Sequence, residues 1–101
     1  MIVVRFKIQC RPETSARVAA ALREVIAPSR AMAGVVSFDI ANDLTDPNIF
    51  VATEVFEDRD ALQRQESLPQ VAAVLGLLED AAASEPEATI FHVSSSEPHE
   101  G

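Results

Sequence analysis

The sequence predicts an α+β domain, with four strands in one antiparallel sheet and helices on one face. Three observations carry this. Short apolar runs of strand type fall at residues 2–10, 35–41, 49–56 and 88–93. Two segments with helical apolar spacing separate the first strand from the second and the third from the fourth. The second and third runs are joined only by turn-forming residues, so they pair as a hairpin. The order β-α-β-β-α-β is the split βαβ, or ferredoxin-like, arrangement.

In the first strand Ile2, Val4, Phe6, Ile8 and Cys10 share one face, and Arg5, Lys7 and Gln9 the other. Pro12 stops the strand and suits the start of a helix. From Glu13 to about Ala33 the spacing is helical, with Val18, Leu22, Val25 and Ile26 as the apolar stripe and Ala21 beside it. Pro28 predicts a break near Ser29, because proline removes a helix hydrogen bond. Gly34 suits a C-cap. In the second strand, Val35 to Ala41, alternation puts Val36, Phe38 and Ile40 on one face. Asn42 to Asn48 is dense in turn residues. The third strand follows from Ile49 to Phe56. Asp58 or Asp60 caps the next helix, where acidic side chains complement the positive helix end. Pro69 splits that region, and a further helix runs from about Pro69 to Ala82 with Val71, Val74, Leu75 and Leu78 inward. Ser84 to Glu87 is a loop and Ala88 to Val93 the fourth strand. Residues 1–94 read as one domain and 95–101 as a polar tail.

Composition narrows the function classes. With 101 residues, 48% of them apolar, the chain builds one core and is not disordered. Eight Lys and Arg stand against 16 Asp and Glu, a formal net charge of −8. That field repels phosphate backbones and anionic membranes, so neither nucleic acid nor membrane is an expected partner. No apolar run approaches the ~20 residues of a membrane helix. Arg5 and Lys7 interrupt the N-terminal run, which reads as a strand rather than a signal peptide. The single cysteine, Cys10, allows no intrachain disulfide and suits a reducing, cytoplasmic setting.

The third strand is apolar on both faces: Ile49, Val51 and Val55 on one, Phe50, Ala52 and Phe56 on the other. Strand two adds Val35 and Ala41 opposite its main apolar set. Helices cover one face only, and a face open to water should be mostly polar. This predicts a homodimer joined through sheet faces.

Three segments carry a family resemblance: Pro28-Ser29-Arg30-Ala31-Met32-Ala33-Gly34, the turn and strand from Asp43 to Phe50, and Glu54-Val55-Phe56-Glu57-Asp58 followed by Ala61-Leu62. In these the chain resembles the antibiotic biosynthesis monooxygenase family, proteins of the dimeric α+β barrel type. The resemblance extends through nearly the whole chain in element order. The family mixes quinone-forming monooxygenases, heme degraders, isomerases and proteins of no known activity, so the resemblance implies fold more strongly than reaction. It implies a cofactor-independent monooxygenase acting on a small aromatic or quinol-type substrate, with the electron-rich substrate itself activating oxygen and no cofactor. Family members often carry histidines at the positions held here by Gln65 and Gln70. Glutamine hydrogen-bonds a substrate oxygen but exchanges no proton near neutral pH. The alternative is therefore a non-catalytic dimer of the same fold that binds a small apolar or aromatic ligand. Heme degraders of this fold use an axial histidine and a tryptophan; this chain has no Trp, and Val71 to Leu75 offers no ligand.

The candidate catalytic residues are Glu54 and His92. Glu54 lies between Ala52 and Phe56 on an apolar strand face, where desolvation raises a carboxyl pKa. An ion-paired or interface glutamate is the competing reading. His92 is the one histidine inside an expected element, and a structural or interfacial histidine competes there. The candidate substrate-binding residues are Gln65, Gln70 and Asn42. Gln65 follows Leu62 by one helical turn and so faces inward, against the reading of a surface residue in a polar run. Gln70 follows Pro69 at a helix start. Asn42 competes with a plain turn role. Arg5 and Lys7 could meet an anionic or quinone-like ligand, or pair with acidic neighbours. Cys10 reads as an unreactive thiol and His99 as an inert tail residue. No metal-like spacing, phosphate-binding glycine loop or nucleophile elbow is present.

Overall fold

A computed structural model describes residues 1–100; the last tail residue, Gly101, lies outside the described residues. The elements are β1 (Ile2–Gln9), α1 (Ser15–Arg30), β2 (Val35–Asp43), β3 (Asp46–Phe56), α2 (Arg59–Glu66), α3 (Pro69–Ala81) and β4 (Glu87–His92). The four strands form one antiparallel sheet in the order β2-β3-β1-β4, and the helices pack on one face of it. The ferredoxin-like βαββαβ class follows, with the second helical region in two pieces. No helix among the described residues is long and apolar enough to cross a membrane.

Strand alternation sets the two faces. Ile2, Val4 and Ile8 of β1 and Phe50, Ala52 and Phe56 of β3 are buried under the helices. Arg5 and Lys7 lie on the opposite face, away from the helices. Fully burying one such apolar side chain stabilises the fold by roughly 1.5–3 kcal/mol. Cys10 is buried, and burial pushes its thiol pKa up, away from the reactive thiolate.

Three expectations change where α1 leads into β2. Pro28 does not break α1, which runs on to Arg30. The hydrogen bond it forfeits falls on the carbonyl of Glu24, an exposed residue in the second-last turn, so the loss comes close to the helix end and on a solvent-facing residue. The unbroken helix extends the buried stripe Val18, Leu22, Val25 by one more turn, to Ser29. Second, a β-bulge interrupts the β2–β3 register between Val35 and Ser37. It turns Val35 in against the core and leaves Val36 55% exposed, the reverse of simple alternation. Third, Gly34 is not the helix C-cap. Ala31 occupies that position, and Gly34 takes φ +85° at the joint leading into β2. There the Gly34 carbonyl accepts from the Glu57 amide at 2.8 Å.

Local chemistry fixes the other ends. Asp58, with extended backbone, accepts from the Ala61 amide at 2.9 Å and caps α2, which settles the choice between Asp58 and Asp60. Pro69 opens α3 at its first position, where its missing N–H has no helical partner in any case. The α3 stripe is Val74, Leu78 and Ala81; Leu75, expected inward, is 54% exposed at the edge of the stripe. Thr14 and Arg11 donate to the last α3 carbonyls, Ala81 and Asp80, and tie that helix to the start of α1. The hairpin closes on Leu44-Thr45, tighter than the expected Asn42–Asn48 turn. Among the described residues no helix or strand follows β4.

Candidate functional site

The sheet register places two complete rows of side chains beneath the helices. One row crosses the strands as Phe38, Glu54, Val4 and Ile90; the next as Ile40, Ala52, Phe6 and Ala88. All eight line a cavity of about 310 Å³. This lies at the lower end of the ~300–1,000 Å³ range of small-molecule sites. Its roof is Leu22 and Val25 of α1, Leu62, Gln65 and Glu66 of α2, and Val71, Val74 and Leu75 of α3. The second row carries alanine at two of its four positions, Ala52 and Ala88, which leaves space beneath the roof. The mouth is framed by Glu66, Leu75 and Ile90, each exposed.

Three polar side chains meet this apolar lining: Glu54, Gln65 and Glu66. Glu54 sits on the floor, in mid-strand. Burial, and secondarily the negative charge of Glu66, push its carboxyl up to about 7 from the ordinary 4.5. It therefore exchanges a proton near neutrality, as a general base or acid requires. Gln65 is 3% exposed, and its amide Nε2 donates to Ser29 Oγ at 3.0 Å. Ser29 is wholly buried on α1, so this bond joins α1 to α2 beside the cavity and fixes the Gln65 amide.

The structure thus brings Glu54 and Gln65 into one site and leaves the other three candidates outside its lining. Asn42 and His92 lie on the correct sheet face but each one row too far. Asn42 pairs with Phe50, beyond the Ile40 row; its amide donates to the Pro47 and Ile49 carbonyls at 2.9 and 3.2 Å and closes the hairpin. His92 pairs with Ile2, beyond the Val4 row, and is exposed. A row is two residues, roughly 7 Å along a strand, which is enough to miss the cavity. Gln70 opens α3 away from the lining, with its Oε1 buried and without a hydrogen-bond partner among the described residues.

Two site residues escaped the sequence reading. Glu66 follows the inward Leu62 by four positions, which places it on the same helix face. Ser29 follows Val25 by four and continues the α1 stripe; the expected break at Pro28 hid it. No group of three or more metal-ligating side chains converges among the described residues.

Comparison with known proteins agrees with this architecture. The family model for antibiotic biosynthesis monooxygenase matches residues 1–76, which span β1 to most of α3. The crystal structure of an antibiotic biosynthesis monooxygenase aligns with a TM-score of 0.85 at 21% identity, covering 94% of this chain and 100% of that one. PA3566 from Pseudomonas aeruginosa gives 0.83 at 22% identity, over 93% and 94% of the two chains. Rv0793 from Mycobacterium tuberculosis gives 0.87 at 20% identity, over 96% and 98%. At such identities the structures share a fold, and nothing about substrate follows from them. No curated protein matches the chain. The family model covers three of the four strands, all three roof helices in whole or part, and both carboxyl groups of the cavity, and on that match the chain belongs to the antibiotic biosynthesis monooxygenase family.

Proposed function

We propose that the protein is a cofactor-independent monooxygenase acting on a small aromatic or quinol-type substrate, with Glu54 as the proton-transfer group. The observation that carries this is a carboxyl, titrating near neutrality, on the floor of a cavity that is apolar apart from Gln65 and Glu66 in its roof. In this reading the ring of the substrate packs between the Phe6 and Phe38 floor and the helix roof. Glu54 accepts the acidic proton of an anthrone C–H or a hydroquinone O–H. The resulting electron-rich anion passes one electron to O₂, and the radical pair joins at a ring carbon as a peroxide, to which Glu54 returns its proton; loss of that carbon's remaining hydrogen with O–O cleavage releases water and leaves a new ring carbonyl. Gln65, held by Ser29, orients the substrate oxygen. His92, Gln70 and Asn42 have no part in this step, because they lie outside the cavity lining.

Oxygen uptake with a panel of anthrones and hydroquinones tests the reading. Uptake that saturates with substrate and rises as pH passes through 7 is the expected result; no uptake across the panel overturns it. The cavity contains no histidine, and that observation favours a second reading, a small-molecule-binding dimer without turnover. Retention of an aromatic ligand with no oxygen uptake selects it.

Both readings include a homodimer. The sheet face away from the helices carries Val3, Ile49, Val51 and Val55, all partly exposed, with Val36 and Phe91 at 55% and 47% exposure. Val35, expected on this face, is inside, and Val36 takes its place through the bulge. A polar row of Asp39, Thr53, Arg5 and Thr89 crosses this face, but the exposed valines, isoleucine and phenylalanine on either side of it call for a cover, and a second copy supplies one. Sedimentation at micromolar concentration should give a dimer for the parent chain and a monomer for Val55→Lys, which puts a charge beside Val3. A monomeric parent rules the dimer out.

A further inference from the structure

We propose that the cavity selects amines: molecules with an apolar, ring-sized body and a protonated primary amine seated against Glu54 and Glu66. This rests on the second reading above, the cavity as a small-molecule-binding site, because a Glu54 carboxylate paired with an ammonium is not free to act as a base, and it specifies the chemistry that site prefers. The lining holds Glu54, Gln65 and Glu66 and no Lys, Arg or His. The ion pairs among the described residues are Arg11–Glu13 and Arg30–Asp39, so neither cavity carboxyl has a cationic partner within the chain. The Gln65 amide nitrogen already donates to Ser29. What the site offers is thus two unpaired carboxyl groups and an amide oxygen, all acceptors, above an apolar floor.

A ligand completing this set must donate hydrogen bonds, and a cation gains more than a neutral donor because charge-assisted bonds are about twice as strong. An anion meets repulsion from both carboxylates and from a chain of net charge −8. Position supports the assignment as well. Glu66 stands at the exposed mouth and Glu54 on the floor, so an ammonium passes from one to the other as the ring enters between Leu75 and Ile90. The groups that share the cavity with Glu54 from the packed elements are Glu66 on α2, Phe38 and Val4 on the flanking strands, and the apolar Leu22 and Val25 on α1 and Val71, Val74 and Leu75 on α3; Glu66 alone among them is ionisable. Amine binding should accordingly strengthen roughly tenfold from pH 6 to pH 8, as Glu54 ionises.

The test is calorimetric titration of the intact chain at pH 8 with three probes sharing one ring system: 1-naphthylmethylamine, 1-naphthylmethanol and 1-naphthoate. The expected result is an amine bound about tenfold or more tightly than the alcohol, with naphthoate weakest. Glu66→Gln, at an exposed position that the fold does not need, should narrow the amine's lead. Alcohol binding as tight as amine binding overturns amine selection and leaves the small-molecule site standing. Failure of all three probes to bind overturns both.

Discussion

Replacing Glu54 by Gln is expected to lower turnover by about 10²–10⁴-fold, the range ascribed to a positioned general base. Glutamine keeps the size and one acceptor oxygen but accepts no proton near neutrality. The same substitution should change stability in a pH-dependent way, and the sign follows from the direction of the shift. Burial raises the Glu54 carboxyl from 4.5 in the unfolded chain to about 7 in the folded one. Between those values the folded protein holds the extra proton, so stability falls as pH rises. The contribution is fully present below about pH 4.5 and is lost as pH passes through 7. Since the cavity is open at its mouth, solvent reduces the full effect, and about 1–2 kcal/mol is the appropriate scale. Denaturant unfolding of parent and Glu54→Gln at pH 5 and pH 8 checks this: the variant should gain on the parent by that amount at the higher pH. Equal stability differences at both values, with turnover intact, would remove Glu54 from the mechanism.

Gly34→Ala should be the most damaging single-methyl change in the chain, at a cost of about 3 kcal/mol. Two effects combine. Gly34 holds φ +85°, where a side chain meets its own backbone. A β-carbon there would also sit 2.6 Å from the Ala61 Cβ, well inside van der Waals contact. Neither atom can yield easily. Ala61 is wholly buried in the first turn of α2, and the Gly34 carbonyl is bonded to the Glu57 amide. For a domain of this size the loss corresponds to a fall in melting temperature of roughly 12–24 °C. The double variant Gly34→Ala/Ala61→Gly should recover the part due to the clash and not the part due to φ, which separates the two causes. Because α2 carries Leu62, Gln65 and Glu66 into the cavity, displacing its first turn should also weaken ligand binding. Full stability in Gly34→Ala would mean the joint moves freely and does not position α2.

How far the sequence went is clearest at Glu54. Its alternation with Ala52 and Phe56 announced a carboxyl on the buried face, and the register confirms that face. Gln65 was equally legible, one turn from Leu62 on a short capped helix. Both inferences used only local periodicity, two residues per repeat in a strand and 3.6 in a helix. The same rule put His92 on one face with Ile90 and could say nothing of the row, because all rows of a face look alike along one strand; Asn42 was read as a turn residue and given no face. The bulge at Val36 was invisible for a related reason. An unpaired residue is a property of two strands meeting, and either strand alone reads as regular.

By itself, then, the sequence determined the class of fold, the faces of its strands and helices apart from Val35, Val36 and Leu75, the capped and proline-started helices of the second half, and the family. Each rests on chemistry within a few residues of chain. Only the tertiary structure decided which two rows floor the cavity, that Ser29 meets Gln65 across 36 positions, and that Glu66 lies close enough to Glu54 for its charge to act on it. Those depend on where three helices come to rest on the sheet, and that position is set by the packing of the whole core.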